Sequence, residues 1–328
     1  IMAMKLLLFF ILIFSSFGAL AEGFKVVTFN VYMKPEIGNV SFPTQRMKAN
    51  WHVLKNKSHK HNNDWDVVLL QEVWTIGARK ILKDCSYQYS VDIGQGHWNA
   101  SEAGKHQNED STPVPDGHGQ ELNLDSGLLI LSRFPVLKAL RYLFKSDGHL
   151  TSVFKDGERL VNKSVYLAQL QLNNREKIWI ANTHLIANYC GNAKGGECES
   201  YEDVRSKQLL EMKSVFDKYV GDAPLVFAGE FNTGEHPNSK ERSWYVLNEL
   251  FPDFSQAPYN GLTVSTSSPT NYFKTGLEER GKVDHIFASD DFVIRQGGLA
   301  FEKKFKTENG TEINYSDHYG WQSTVVLK

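Results

Sequence analysis

The sequence has few cysteines, and neither sign of charge dominates it. Three cysteines among 328 residues are too few for a disulfide scaffold, and their spacing fits no zinc knuckle. Lysine and arginine number 36 against 38 aspartates and glutamates, which gives a formal net charge of -2. No overall positive field therefore draws the protein onto nucleic acid or acidic lipid, although a local patch remains open.

Linkers, repeats and covalent-nucleophile motifs are missing as well. No interior stretch rich in proline or serine divides the chain, and no segment repeats, so we expect one domain. No serine stands in a Gly-x-Ser-x-Gly elbow, and no cysteine accompanies a histidine pattern, which argues against a covalent nucleophile. The apolar run near the N-terminus is too short to cross a bilayer, and no other run in the sequence is long and apolar enough.

Residues 1–21 have the pattern of a signal peptide. Lys5 supplies a positive charge, residues 6–14 form an apolar run, and Ala19-Leu20-Ala21 resembles a cleavage site. We therefore expect an exported protein, extracellular or periplasmic, in which residues 22–328 form a single domain.

Export changes what the cysteines can do. Oxidising compartments permit disulfides, and Cys190 and Cys198 flank a glycine-rich loop, so we expect a bridge between them. Cys85 is then left over as a small buried hydrophobe. Residues 94–123 are polar and glycine-rich, and they predict a long surface loop.

Apolar periodicity predicts many short strands with interspersed helices. The predicted strands are residues 24–31, 66–72, 87–93, 126–132, 160–172, 177–183, 225–228, 283–288 and 321–327, and the predicted helices are 45–56, 76–82, 201–220 and 239–250. Because some neighbouring strands lie too close for a helical crossover, the sheets must be mixed. The pattern predicts an α/β domain, and about 300 residues of this kind can form one domain with two packed sheets and outer helices.

Polar side chains stand repeatedly where an apolar strand ends or begins. In α/β folds such strand ends open onto a common rim, where ligands bind. The set comprises two amides, four carboxylates and two histidines: Asn30, Glu72, His184, Glu230, Asn232, Asp284, Asp317 and His318.

This inventory indicates metal-assisted chemistry. Carboxylate and amide oxygens are ligands suited to Mg²⁺ or Mn²⁺. A histidine beside an aspartate is an oriented general acid or base, and together these groups fit attack of water on a phosphodiester. Taken singly, Glu72 also fits a lone strand-end carboxylate and Asn30 a turn former, while His285 fits a structural role better than a catalytic one.

Seven short motifs then match a family in order. They are Thr28-Phe29-Asn30-Val31, Leu70-Gln71-Glu72-Val73, Ser126-Gly127-Leu128-Leu129-Ile130-Leu131-Ser132-Arg133, Asn182-Thr183-His184-Leu185, Gly229-Glu230-Phe231-Asn232, Asp284-His285-Ile286-Phe287 and Ser316-Asp317-His318-Tyr319. The chain resembles the endonuclease/exonuclease/phosphatase superfamily over about residues 24 to 327, and within it the secreted and neutral sphingomyelinases.

The resemblance implies a fold and a set of roles. The fold is a four-layer αββα sandwich of two mixed β-sheets with outer helices, like that of deoxyribonuclease I. The cofactor is Mg²⁺, with Mn²⁺ or Co²⁺ as substitutes. The implied metal residues are Glu72, Asn30 and Asp317, and the implied catalytic residues are His318, His184, Asp284, Glu230 and Asn232. Which histidine is the acid and which the base stays open.

One position departs from the family pattern. The motif is normally Gly-Asp-x-Asn, and here Glu230 carries the carboxylate one methylene further from the backbone. Catalytic groups need accurate placement, so we expect either a compensating backbone shift or a slower enzyme. A non-catalytic surface-binding relative is the remaining alternative.

The substrate has several candidates. The first is sphingomyelin, cleaved to ceramide and phosphocholine by a monomer that touches a sphingomyelin-containing membrane surface. The aromatic residues expected to touch that surface are Trp98, Tyr259, Tyr272 and Phe273. An exported nuclease is the alternative, but it needs a basic track, and the lysines and arginines are scattered, so no stable nucleic-acid partner is expected. A third alternative, an inositol-phosphate or phosphoinositide phosphatase, would need clustered basic residues to bind several phosphates, and the expected export argues against it.

Overall fold

The computed structural model describes residues 23–33, 43–57, 65–74, 76–92, 126–146, 161–187, 197–234, 241–258, 262–264 and 282–328. Several expectations lie outside these residues: the signal peptide at 1–21, the loop at 94–123, the side chains of Cys190 and Cys198, and the four aromatic residues proposed to touch a membrane. Within the described ranges, no helix is both long and apolar enough to cross a bilayer.

Two six-stranded mixed sheets carry the fold, as expected. The helices are α1 (Pro43–Lys57), α2 (Ile76–Lys83), α3 (Glu197–Tyr219) and α4 (Arg242–Leu250). The strands are β1 (Gly23–Met33), β2 (Val67–Val73), β3 (Tyr89–Val91), β4 (Leu129–Ser132), β5 (Val136–Leu143), β6 (Ser164–Gln171), β7 (Lys177–His184), β8 (Leu225–Glu230), β9 (Phe254–Gln256), β10 (Asp284–Ser289), β11 (Phe292–Ala300), β12 (Phe305–Lys306), β13 (Glu312–Ile313) and β14 (Gly320–Leu327).

Each large sheet has one parallel pair near its centre. The first sheet has the order β11-β14-β1-β2-β4-β3 and the second β5-β6-β7-β8-β10-β9. The parallel pairs are β1 with β2 and β7 with β8, and all other neighbours are antiparallel. The C-terminal ends of the four parallel strands therefore form one rim, and the antiparallel strands β10 and β14 begin at that rim.

Three apolar clusters hold four layers together. Val26, Leu69 and Ile130 of the first sheet pack against Ile180 and Ile286 of the second in a shared core. The outer cluster of the first sheet includes Leu54 of α1 and Leu82 of α2, and that of the second includes Met212 and Phe216 of α3 with Leu247 of α4. The αββα sandwich is therefore confirmed.

Strand β2 shows why the central strands were predictable. All seven of its residues are buried, because the inner core covers one face and helices cover the other. A strand buried on both faces reads as a continuous apolar run rather than an alternation. The polar Gln71 and Glu72 at its end therefore stand out in the sequence.

Some elements differ from the expectation. Helix α3 begins at Glu197, before the predicted start, so the backbone of Cys198 lies in its first turn. Strands β5 and β11 were not predicted. In β11 the pair Gly297-Gly298 weakens the strand pattern. Gly297 is required there, because a Cβ at this position would stand 2.5 Å from Cζ2 of Trp321.

Candidate active site

Three site residues lie side by side because of strand register. In the second sheet, His184 of β7 pairs with Glu230 of β8, and Asp284 of β10 pairs with Glu230 from the other side. Directly paired residues in a sheet share a face and have close Cβ atoms. Two predicted strand ends and one strand start therefore place their side chains in a single row at the rim.

Glu230 occupies the centre of the site. Its Oε2 accepts a hydrogen bond of 2.6 Å from Nδ2 of Asn30, which belongs to the first sheet. The same oxygen lies 3.4 Å from Nε2 of His184, and Oε1 lies 3.5 Å from Nε2 of His318. The extra methylene of glutamate thus brings one carboxylate against both histidines and the opposite sheet.

Asp284 orients His318. Its Oδ2 lies 2.9 Å from Nδ1 of His318, and both residues are buried. The backbone N–H of Asp284 donates to the hydroxyl of Thr263 at 3.2 Å, which positions the start of β10. With Nδ1 held by the carboxylate, Nε2 of His318 is the atom that faces the centre of the site.

Glu72 reaches the site through an unusual backbone conformation. It ends β2 with φ at 57°, in the left-handed region that a glutamate rarely adopts. Its carboxylate, the carboxylate of Glu230 and the imidazole of His184 form one group. The ligand atoms of this group all lie within 4.8 Å of one another. Such a conformation typically costs about 1–3 kcal/mol and is typical of residues held for function.

Asn232 and Asp317 lie at the edges of this group. Asn232, also left-handed with φ at 52°, donates from Nδ2 to the backbone oxygen of Leu185 at 2.9 Å. Oδ1 of Asp317 accepts a hydrogen bond of 3.2 Å from the hydroxyl of Ser316, next to His318. The structure therefore brings all eight predicted residues to one rim, with Glu230 central and Asn232 peripheral.

Burial and charge shift the protonation of the two central groups. Burial raises the pKa of Glu230 to about 7, helped by the charges of Asp284 and Glu72 and opposed by His318. Burial lowers the pKa of His318, but the attraction of Asp284 and Glu230 outweighs it and raises the pKa to about 10. The metal-free site therefore holds an imidazolium at neutral pH, beside a carboxyl group that titrates near neutrality.

The donor set fits a divalent cation. A second group, Glu230, Asp284 and His318, also has its ligand atoms within 4.8 Å of one another. Among the described residues, Oδ1 of Asp284 is a buried oxygen with no hydrogen-bond partner. Clustered carboxylates that repel one another need a positive charge, and hard oxygen donors suit Mg²⁺.

His285 belongs to a different environment from its neighbour Asp284. Its Nε2 lies 2.8 Å from the backbone oxygen of Thr233, its Nδ1 lies 2.6 Å from Nε2 of Gln256, and its ring stacks on Trp244. Burial lowers the pKa of His285 to about 3, and the charge of Lys282 acts in the same direction. This histidine is neutral and structural.

Sequence analysis missed several supporting residues. Gln71 donates from Nε2 to Oδ1 of Asn182 at 2.7 Å and so joins the two sheets beneath the site. Trp74 lies against His184, with ring centroids 6.2 Å apart. Arg46 and Lys163 are buried cations whose charges act on site carboxylates. Gln71 is marked in the sequence as a polar residue at the end of an apolar strand, whereas Trp74, Arg46 and Lys163 carry no comparable local signal.

Known proteins resemble this chain along most of its length. A family model described as "Endonuclease/Exonuclease/phosphatase family" matches residues 27–318. Sphingomyelinase C of Leptospira interrogans is 24% identical over 316 residues, which are 90% of this chain and 50% of that protein. Inositol phosphosphingolipids phospholipase C of Schizosaccharomyces pombe is 22% identical over 334 residues, 94% of this chain and 69% of that protein. The chain thus spans half the length of the Leptospira relative.

Solved structures share the fold. A mutant of beta toxin from Staphylococcus aureus with bound magnesium ions superposes with a TM-score of 0.63 at 18% identity, covering 94% of this chain and 100% of that one. Sphingomyelinase C from Streptomyces griseocarneus gives a TM-score of 0.63 at 16% identity, with 92% and 99% covered. TDP2 of D. rerio, complexed with a single strand DNA product, gives 0.59 at 15% identity, with 93% and 99% covered.

Proposed function

The chain belongs to the endonuclease/exonuclease/phosphatase family, and we propose that it is an exported, divalent-metal-dependent phosphodiesterase that cleaves sphingomyelin into ceramide and phosphocholine. One observation carries the chemistry: His184 and His318 flank the same carboxylate, with His318 paired to Asp284 at 2.9 Å. A phosphodiester seated there would have one histidine on each side, as a general base and a general acid require.

The cation has a defined place in this proposal. Glu72 and Asn30, with Asp317 nearby, are the residues that would hold Mg²⁺, and Mn²⁺ or Co²⁺ would substitute for it. When bound, the cation supplies positive charge that neutralises phosphoryl oxygens. The buried, mutually repelling carboxylates of the rim support its presence.

The remaining chemistry belongs to the histidines. We assign water activation to Nε2 of His318 in its neutral form, because Asp284 stabilises the imidazolium that forms when this atom takes the proton. In the metal-free site the pKa of His318 is about 10, and the positive charge of a bound cation would lower that pKa and favour the neutral form. The water oxygen bonds to phosphorus as the bond from phosphorus to the ceramide oxygen breaks. His184 donates a proton to that oxygen, so ceramide and phosphocholine leave with all atoms accounted for.

The choice of a sphingolipid rests on the relatives. The names of two of them state a sphingolipid substrate: one is a sphingomyelinase C and the other an inositol phosphosphingolipids phospholipase C. A nuclease of the same fold is the second candidate, since a structural neighbour was solved with a DNA product. Export is supported by the pattern of residues 1–21, and a sphingomyelin-containing membrane surface is the proposed partner.

A side-by-side assay tests the proposal. The purified protein is incubated with vesicles of sphingomyelin, phosphatidylcholine or inositol phosphosphingolipid and with plasmid DNA, each with Mg²⁺ and with EDTA. We expect phosphocholine release from sphingomyelin in Mg²⁺ alone. DNA nicking without headgroup release would reject the lipid substrate in favour of the nuclease. Activity that survives chelation would reject the metal-dependent mechanism. No detectable activity on any of these substrates would favour the non-catalytic surface-binding relative.

A further inference from the structure

Helix α1 turns charged and polar residues, as well as apolar ones, toward the first sheet. Arg46, Asn50 and Leu54 recur every fourth residue, which places them on one helix face, and each is 0% exposed. Removing a guanidinium from water costs several kcal/mol, so specific contacts must compensate for the burial of Arg46.

The two polar residues of this face hold backbone on either side of the candidate site. Nη1 of Arg46 donates to the backbone oxygen of Tyr32 at 2.7 Å, and the guanidinium lies 4.9 Å from the centroid of the Tyr32 ring. Nδ2 of Asn50 donates to the backbone oxygen of Tyr315 at 3.2 Å. Tyr32 follows Asn30 by two positions, and Tyr315 precedes Asp317 by two.

The bend at Tyr32 aims Asn30. Tyr32 is left-handed with φ at 51°, and the register between β1 and β2 shifts between Asn30 and Met33. In this conformation the N–H of Tyr32 donates to Oδ1 of Asn30 at 2.8 Å, which leaves Nδ2 to donate to Glu230 at 2.6 Å. Three hydrogen bonds in series therefore connect Arg46 to the central carboxylate.

The charge of Arg46 bears on the same site. Burial lowers the pKa of Arg46, and the nearby Asp317, Tyr32 and Glu72 oppose that shift. Its guanidinium is therefore close enough to two candidate metal-holding carboxylates to attract them. In the metal-free protein this charge offsets their mutual repulsion, and it opposes an incoming cation.

We propose that Arg46 is a positioning residue of the phosphodiesterase site, which holds the bend at Tyr32 that aims Asn30 at Glu230 and balances, from helix α1, the charge of Glu72 and Asp317. The inference rests on the proposed function for its catalytic consequence. Its charge and backbone consequences do not depend on which substrate is cleaved.

The variants Arg46→Met and Arg46→Lys separate the two roles. Arg46→Met removes the charge and the donor, so we expect Mn²⁺ to bind about threefold tighter or more in isothermal titration. We also expect kcat to fall about 100-fold with KM changed less than about threefold, because Nδ2 of Asn30 is no longer aimed at Glu230. Arg46→Lys keeps the charge, so Mn²⁺ affinity stays at the wild-type value while kcat falls about tenfold.

Arg79 of α2 provides a matched control in the same layer. It is also a buried arginine and pairs with Asp92, and its Nη1 donates to the backbone oxygen of Leu128 at 3.3 Å. Arg79→Met and Arg79→Lys are expected to lower thermal stability while leaving Mn²⁺ affinity unchanged and kcat within about twofold.

Hydrogen–deuterium exchange tests the backbone role without any activity. The segment 30–33 is expected to exchange faster in both Arg46 variants and at the wild-type rate in both Arg79 variants. Tighter Mn²⁺ binding combined with slower turnover is a signature that general destabilisation does not produce.

The outcomes separate this inference from the proposed function. Unchanged Mn²⁺ affinity in Arg46→Met, or unchanged exchange at residues 30–33 in both Arg46 variants, overturns the inference even if sphingomyelin is cleaved. If the wild type cleaves no substrate, the binding and exchange arms still decide the role of Arg46. If Arg46→Met does not fold, Arg46→Lys decides the positioning role. A kcat and an exchange rate at residues 30–33 that both equal the wild-type values overturn this role, whereas a lower kcat with faster exchange supports it.

Discussion

The first sheet with α1 and α2, and the second sheet with α3 and α4, are built alike but support the site differently. Each half has a fully buried arginine on an outer helix that donates to a backbone oxygen near the end of a strand. In the first half Arg46 holds Tyr32 near the end of β1, and in the second Arg205 holds Ile186 just beyond β7, at 3.0 Å.

The charges around the two arginines differ. Arg205 pairs with Glu202 on its own helix, and its Nε donates to the hydroxyl of Ser243 at 2.9 Å. The carboxylates that act on Arg46 instead belong to the rim, at Asp317 and Glu72. Loss of a buried cation that is balanced within its own helix therefore acts on stability, whereas loss of one balanced by site residues also acts on cation binding.

The largest effect is expected where the two halves meet. His318 precedes a strand of the first sheet, and its orienting carboxylate Asp284 belongs to the second. His318→Gln removes the proposed base, so we expect sphingomyelin turnover to fall about 10²–10⁴-fold in a headgroup-release assay. His52→Gln, an exposed position on α1, is the control; equal losses in both variants would contradict the assignment.

The second prediction sharpens the contrast between the arginines. Arg205→Met breaks a buried ion pair, so we expect the free energy of unfolding in urea to fall by about 3 kcal/mol. Because Glu202 balances Arg205 locally, Mn²⁺ affinity is expected to stay at the wild-type value. A rise in Mn²⁺ affinity as large as that of Arg46→Met would remove the distinction between the two halves.

A smaller effect is expected for the residue that departs from the family pattern. Glu230→Asp withdraws the carboxylate from Asn30 by one methylene, so we expect kcat to fall about tenfold in the same assay. The exposed Glu249→Asp on α4 serves as the control. A gain in turnover would instead show that the glutamate is a handicap, accommodated only structurally.

Taken per pH unit, an effect no larger than that of Glu230→Asp is expected for His285, on the outer side of the second sheet. The pKa of His285 is about 3 in the folded protein against about 6.5 when unfolded, so the unfolded state binds one more proton between these values. Stability is therefore lost as the pH falls from about 6.5 toward 3, by about 1.4 kcal/mol per pH unit from this group. In His285→Gln, the free energy of unfolding in urea should depend less steeply on pH, by about 1.4 kcal/mol per pH unit over this range. An unchanged dependence on pH would mean that His285 is not held neutral.

Strand ends were the reliable part of the sequence signal. Asn30, Glu72, His184 and Glu230 each interrupt or follow a buried apolar run, and all four lie at the rim. The position of Asn30 was readable because its own strand is strongly apolar. Its partner was not, since Glu230 lies 200 residues further along the chain.

The supporting residues gave no comparable signal. Arg46 stands in a predicted helix as one more basic residue, and nothing local distinguishes it from the exposed Lys48 two positions on. Thr263 likewise acts through contacts with a distant segment. Their roles depend on which side chains face them, and short-range periodicity carries no information about that.

Composition and periodicity were enough to predict an α/β domain with mixed sheets, the rim and the residue types needed for phosphodiester chemistry, because burial imposes repeating patterns on each segment. The αββα layering was implied by the family resemblance of the motifs. Folding alone set Glu230 between two histidines, directed Asp284 to His318 and His285 to the opposite face, and placed Arg46 behind the carboxylates. These arrangements follow from strand register and sheet packing, where residues far apart in the chain come within hydrogen-bonding distance.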